Sequence, residues 1–184
     1  WASRDLGPAG EAAGVSAMVL SAAGDIFLAG NIHAASGDNR YITIRKDSSG
    51  KTLWERVYAG ETEGDAFNGF AKRIALDSNG NVVVTGHCEG TGEYLEYATV
   101  KYAPDGTQVW AARYGAELEG DHIAFSVGVD GAGNVYVGGR CHPSVHDHDW
   151  LVLKYDPTGT LSGSFQLDGG YEPEPKDEWG SMLV

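Results

Sequence analysis

Only two cysteines occur in the 184 residues. That is too few for a disulfide scaffold and leaves the compartment undecided. No stretch approaches the ~18 apolar residues that a membrane-spanning helix needs, so membrane insertion is not expected. The chain has neither an initiating Met nor a signal-like apolar run, from which we expect a start that is processed or incomplete. Positive charge is scarce: 13 Lys and Arg stand against 26 Asp and Glu, a net charge of −13. A nucleic-acid ligand is therefore not expected, because phosphate binding needs a basic surface. A cation or a basic partner is compatible with such a chain, and so is plain solubility. Nucleophile elbow, phosphate loop and Rossmann fingerprint are all missing. No segment sustains a helical period of apolar residues.

Glycine, in contrast, is plentiful: the 27 residues are about twice the usual share of ~7%, which points to many tight turns and an all-β chain. The glycines are also periodic. Gly24, Gly80 and Gly133 lie 56 and 53 residues apart, and Gly50, Gly106 and Gly159 keep the same two intervals. Around each pair of markers the order of elements is constant. From Ala75 it runs through the turn Asp77-Ser-Asn-Gly-Asn81, the strand Val82-Val-Val-Thr-Gly86, a long loop, Tyr97-Ala-Thr-Val-Lys-Tyr102, the turn Pro104-Asp-Gly106 and a strand ending at Trp110. Each unit thus holds four β-type runs, A to D, with short Gly turns closing hairpins A–B and C–D. Four antiparallel strands in roughly 50 residues, repeated, predict an all-β fold of the β-propeller type.

The repeats span approximately 15–58, 72–114 and 124–167 within a single segment, 1–184. Trp1 lies 53 residues before Trp54, so 1–6 reads as the D strand of a preceding blade. Residues 179–184, Trp-Gly-Ser-Met-Leu-Val, resemble the A strand at Val15-Ser-Ala-Met-Val-Leu20 and read as the A strand of a following blade. Three full blades and a part-blade at each end make no ring, since propellers close with about four to eight. We therefore expect partners, either other protein chains or the rest of a longer polypeptide.

Asp77-Ser-Asn-Gly-Asn-Val-Val-Val-Thr-Gly86 and Asp130-Gly-Ala-Gly-Asn-Val-Tyr-Val-Gly-Gly139 resemble the first half of the bacterial SBBP-type β-propeller repeat. Lys101-Tyr-Ala-Pro-Asp-Gly-Thr-Gln-Val-Trp110 and Lys154-Tyr-Asp-Pro-Thr-Gly159 resemble its second half, and the resemblance covers nearly the whole chain. It implies a building block of a large exported bacterial protein, extracellular or in the cell envelope, with no catalytic residues in the repeat itself. The third unit departs from the pattern: Gly163 takes the Trp position and Phe165 sits two residues later. A second likeness, of Asp47-Ser-Ser-Gly-Lys-Thr-Leu-Trp54 to the tryptophan-docking repeat of quinoprotein propellers, fails on spacing. That repeat has Asp four residues before Gly and Thr one before, whereas Asp47 is three before Gly50 and Ser49 precedes it.

Trp54 and Trp110 share one repeat position and Tyr41, Tyr97 and Trp150 another, which predicts packing between blades in preference to a sugar- or base-stacking surface. Arg45, Lys101 and Lys154 recur as well and read as one surface charge per blade, its stem laid over an aromatic. Cys88 and Cys141 occupy the place of Ile32 and read as small buried apolar residues. Points so far apart on adjacent blades exceed the ~7 Å limit for a disulfide. The histidines give the clearest lead to a site. His142, His146 and His148 crowd into Cys141-His-Pro-Ser-Val-His-Asp-His-Asp149, while His33 and His87 lie in the matching B–C loops. The D–A connections, expected on the same face, are acidic: Glu61–Asp65, Glu117–His122 and Glu172–Glu178. The candidate ligands of a divalent cation are thus His142, His146, His148, Asp147, Asp149, His122 and Asp121. No cofactor is otherwise predicted, and the spacing matches no defined metal motif. A non-catalytic module for interaction or structural assembly is the leading expectation, with a hydrolase or lyase site on the loop face as the alternative.

Overall fold

The computed structural model describes residues 12–35, 37–60, 67–90, 94–115, 120–144 and 147–169. Among them are twelve strands and no helix. The first blade holds β1 (Ala12–Leu20), β2 (Ile26–His33), β3 (Asn39–Lys46) and β4 (Thr52–Tyr58). The second holds β5 (Gly69–Leu76), β6 (Val82–Glu89), β7 (Leu95–Tyr102) and β8 (Gln108–Tyr114). The third holds β9 (His122–Val129), β10 (Val135–Ser144), β11 (Asp147–Tyr155) and β12 (Leu161–Leu167). Each is a four-stranded antiparallel meander, strand pairing with the next strand in sequence, so the expected blades of a β-propeller are present. The part-blades expected at 1–6 and 179–184 lie outside the described residues.

The periodic glycines do what their spacing demands. In all six hairpins the first turn residue bonds through its N–H to the carbonyl four residues on, as Asp47 does to Lys51 and Ala103 to Thr107. The glycine before that last residue donates back to the first carbonyl, with φ between 78° and 89°. A type I turn followed by a left-handed residue is the three-residue hairpin, and only glycine enters that conformation without strain. Asp47, Asp77, Asp130 and Asp156 add a side-chain oxygen that accepts the amides two and four residues on. Side-chain donors Ser49, Asn134 and Thr158, with those amides behind them, hold the carboxyls of Asp47, Asp130 and Asp156 below their ordinary range.

The D strands differ from expectation. They run past the tryptophans, to Tyr58 and Tyr114, where a second ring four residues beyond each Trp packs against the same core, Tyr58 buried and Tyr114 half-buried. Register shifts also recur, skipping Ser16 in β1, Lys72 in β5 and Phe125 in β9, each one period after the last. One extra residue at the same place in every A strand adds twist there.

The sheets stack face to face in chain order around two cores. One joins Phe27, Tyr41, Trp54 and Tyr58 of the first blade to Ala71, Val82, Val84, Cys88 and Tyr102 of the second. The other joins Val83, Tyr97 and Trp110 to Ala124, Val135, Val137, Cys141, Leu153 and Tyr155 of the third. Both joints use the same fittings. Trp54 and Trp110 are each 8% exposed, as expected of residues packed between blades. Their indole N–H groups donate to Pro104 O (2.9 Å) and Pro157 O (3.2 Å) of the following blade. Tyr41 and Tyr97 are fully buried, and their hydroxyls reach the next blade's carbonyls of His87 and Ala98, and of Leu151. Each ring end enters a notch kept open by glycine: a Cβ on Gly86 would lie 2.9 Å from the Tyr41 hydroxyl, and one on Gly139 would lie 2.5 Å from that of Tyr97.

Candidate functional site

The register puts the B–C loops and D–A connections at one end of the blades and the six glycine hairpins at the other. This loop end is closed by a repeated device. Asn68 Oδ1 accepts the N–H of Asn39 (3.0 Å), and one period later Asp121 Oδ1 accepts the N–H of Leu95 (2.9 Å). The carbonyls of the same two residues take the amides of Glu89 and His142. Asp121 therefore joins the C strand of the second blade to the B strand of the third.

The other sequence-derived candidates divide into three groups. His122 is 3% exposed, its Nδ1 is 2.9 Å from Gly120 O, and its ring packs at 6.4 Å from Tyr97 and 6.0 Å from Tyr114. Asp149 is 6% exposed and accepts Gln166 Nε2 (2.6 Å) and Gly169 N (3.1 Å). His122 and Asp149 are both cross-strand partners of Cys141, so β9, β10 and β11 bring the three residues into one buried row. His142 is half-buried beside this row, one residue further along β10. Asp147 and His148 begin β11, but their side chains lie outside the described residues, and His146 lies outside them altogether. Of the two remaining histidines, His33 is exposed with Nδ1 3.3 Å from Asn39 Oδ1, and His87 is half-buried at the joint of blades two and three. Among the described residues, no group of three or more His, Cys, Asp or Glu side chains is placed to hold a metal ion. The acidic stretches 61–65, 117–119 and 172–178 fall outside the described residues.

Burial sets the electrostatics here. It pushes the free, fully buried Cys88 thiol up to about 12, so at neutral pH it is a packed thiol and not a nucleophile. Cys141 is likewise buried, 3% exposed, and its sulfur forms no disulfide. Burial, reinforced by the Lys72 and Arg140 cations and opposed by Asp121, lowers His87 to about 4. The unfolded chain binds that proton near pH 6.5 and the folded chain does not, so stability is complete above pH 6.5 and falls as pH drops toward about 4. Allowing for partial exposure, the loss is on the order of 2 kcal/mol. Denaturant midpoints between pH 7 and 4.5 should show this slope in the parent chain and lose most of it in His87→Gln. Equal slopes in the two would assign the acid sensitivity elsewhere.

Two buried ion pairs were not read from the sequence. Glu96, 2% exposed, accepts Arg113 Nε at 2.9 Å, and Arg113 also reaches Glu89 O. Lys101, expected as a surface charge, is 3% exposed and lies 3.0 Å from Asp77 Oδ2. The expectation holds better for its equivalents: Arg45, paired with Asp25, lies over Phe27, and Lys154 lies over Tyr136. The signal for the pair at Lys101 was available. Blade one has Ser21 and Asp25 where blade two has Asp77 and Asn81, so one acid beside the recurring cation is kept while its position moves. Chemically, Asn68 and Asp121 supply hydrogen bonds that fasten one blade to the next, while His122 and Asp149 make theirs within the third unit. No protein-family model matches the chain, and no curated protein matches it.

Proposed function

We propose that this chain is a non-catalytic β-propeller module for protein interaction and structural assembly, part of an exported bacterial protein in the cell envelope or outside the cell. One observation carries the proposal: the side chains that recur with the period are spent on joints between blades. Tyr41 and Tyr97, Trp54 and Trp110, and the notch glycines Gly86 and Gly139 all serve that end. Asp121, His122 and Asp149, three of the described polar residues of the loop end, are tied to backbone, to the Gln166 side chain or to neighbouring rings. A period that encodes sheet-to-sheet joints suits a chain whose business is to stack on further sheets. The likeness of its motifs to the SBBP-type repeat supports an exported setting.

The test is turnover of a panel of glycosides, esters and peptides by the purified chain, next to Asp121→Ala and Asp149→Ala, with elemental analysis of the dialysed protein. Rates at the uncatalysed level and no stoichiometric divalent metal are expected. Turnover that disappears in either variant would assign the loop end to a hydrolase or lyase, and one equivalent of metal would point to the histidine-rich stretch 142–149.

A further inference from the structure

Two Asn-Gly steps occur in the chain, Asn68-Gly69 and Asn79-Gly80. Glycine has no side chain to shield its amide nitrogen, so that nitrogen can attack the preceding carboxamide wherever the backbone lets the two meet. The fold treats the two steps differently. Asn68 is half-buried; its Oδ1 accepts Asn39 N (3.0 Å) and Asn39 Nδ2 (2.9 Å), and its Nδ2 donates to Glu89 Oε1 (2.8 Å). Gly69 beside it is packed so tightly that a Cβ would lie 2.4 Å from the Phe67 ring. Asn79, in contrast, is exposed at the tip of the β5–β6 hairpin, and its carboxamide makes no hydrogen bond among the described residues. A Cβ on Gly80 would meet only Pro104 Cγ, at 3.6 Å, and the Gly80 N–H is held by a single bond to Asp77 O. Hairpin tips of this kind open locally at little cost. The same place in the other hairpins is taken by Ala23, Ser49, Asp105, Ala132 and Thr158. Only Asp105 among these carries a similar acyl carbon. Hydrogen bonds from the Thr107 backbone and side chain hold its carboxyl below the ordinary range, as a poorly electrophilic carboxylate. Gly106 after it lies beneath the Trp54 ring, where a Cβ would come within 2.9 Å.

We infer that Asn79 is a site of spontaneous deamidation in the folded protein, and that Asn68 is protected by the joint it helps to build. The inference is independent of the assembly reading above. The Gly80 nitrogen bonds to Asn79 Cγ as the Cγ–Nδ2 bond breaks, and ammonia leaves with the proton of the Gly80 amide. Water then opens the cyclic imide. Cleavage between its nitrogen and Cγ gives aspartate; cleavage between its nitrogen and the main-chain carbonyl gives isoaspartate, whose backbone runs through Cβ and Cγ. Water is the only co-reactant, and nothing is oxidised or reduced. The consequence reaches a buried group. The turn closes through Asp77, whose N–H reaches Asn81 O, whose carbonyl takes Gly80 N and whose Oδ1 accepts the amides of Asn79 and Asn81. Oδ2 of the same carboxyl lies 3.0 Å from Lys101 Nζ. An added main-chain atom at Asn79 lengthens the path that those bonds span. The isoaspartate form therefore loosens the turn, and with it the seat of the Lys101 ammonium.

Incubation of the folded chain at mildly alkaline pH, followed by tryptic mapping, tests this. The peptide 74–101 should gain the mass of an amide becoming an acid, located at Asn79 by fragmentation. It should do so about tenfold or more faster than 57–72 gains it at Asn68, because freeing Asn68 breaks three side-chain hydrogen bonds. In the guanidinium-unfolded chain the two rates should converge. Asn79→Ala installs the residue type that Ala23 and Ala132 supply at the same place in blades one and three, so it should keep the parent circular dichroism. It should also abolish the gain in 74–101, and on ageing only the parent should lose urea midpoint. Equal rates at Asn68 and Asn79 in the folded chain overturn the inference. So does a gain at Asn81 in place of Asn79, or a gain at Asn79 confined to the unfolded chain. Aged parent and aged Asn79→Ala with the same midpoint would overturn the link from Asn79 to the seat of Lys101.

Discussion

Replacing Trp110 with Ala should destabilise the chain by about 3–5 kcal/mol, the usual range for truncating a buried large aromatic. The indole is 8% exposed, stacks at 5.7 Å on Tyr155, donates to Pro157 O, and lies so close over Gly159 that a Cβ there would come within 2.6 Å of it. Its removal opens a slot between two sheets whose backbones are fixed by their own ladders, so little collapse can refill the space. Trp110→Phe separates the two contributions: it keeps a ring over the turn but leaves Pro157 O without its donor, at a further cost of about 1 kcal/mol. Urea unfolding followed by circular dichroism gives both values. A loss well under 1 kcal/mol for Trp110→Ala would mean that the plug does not hold blades two and three together.

The second large effect is expected at Lys101. The Lys101 and Asp77 side chains are 4% and 1% exposed, and the pair bridges β7 to the turn before β6. Burial on its own would raise the Asp77 carboxyl; hydrogen bonds from Asn81 and Lys101 outweigh it and hold the group below its ordinary range. Lys101→Met keeps the stem and deletes the charge, stranding a carboxylate away from water, and should cost about 3–5 kcal/mol. Changing Asp77 to Asn in the same chain removes the stranded charge and should recover a substantial part. Arg45→Met in blade one is the internal control. That pair is 24% and 16% exposed, so its loss should be closer to ~1 kcal/mol. Equal losses at the two sites would show that burial of the charges is not what sets the cost.

What was legible from the sequence follows from which interactions are local. Each hairpin is specified within five residues by an Asp or Ser, a Gly and the carbonyl the glycine closes on, so a fixed period of Gly24, Gly80 and Gly133 was enough to place strands and turns. Burial of Trp54 and Trp110 followed from their recurrence. Lys101 was misplaced at the surface because its partner is 24 residues back, in a turn that already had a sufficient reason to contain an Asp. Asp121 was grouped with possible metal ligands because a carboxylate in an acidic loop looks the same in sequence whether it meets a cation or the amide of Leu95 on another sheet. The notch at Gly139 was hidden by its place inside a strand motif, where a glycine reads as part of the pattern and not as room for a tyrosine 42 residues earlier.

The equivalence of the two joints also bears on how such a gene can change. Tyr41 and Trp54 are matched on the next blade by Gly86 and Pro104, and the blade after it offers Gly139 and Pro157 in the same places. Unequal recombination that deletes one whole period sets the first blade directly on the third, and the severed chain meets a surface cut to the same pattern. Duplication of a period is tolerated for the same reason. Slippage by a single codon inside a strand turns the rest of that strand's side chains to the wrong face of its sheet. Variation by whole blades is therefore structurally silent at the joints, while variation within a blade is not, and blade number becomes the heritable quantity that can drift.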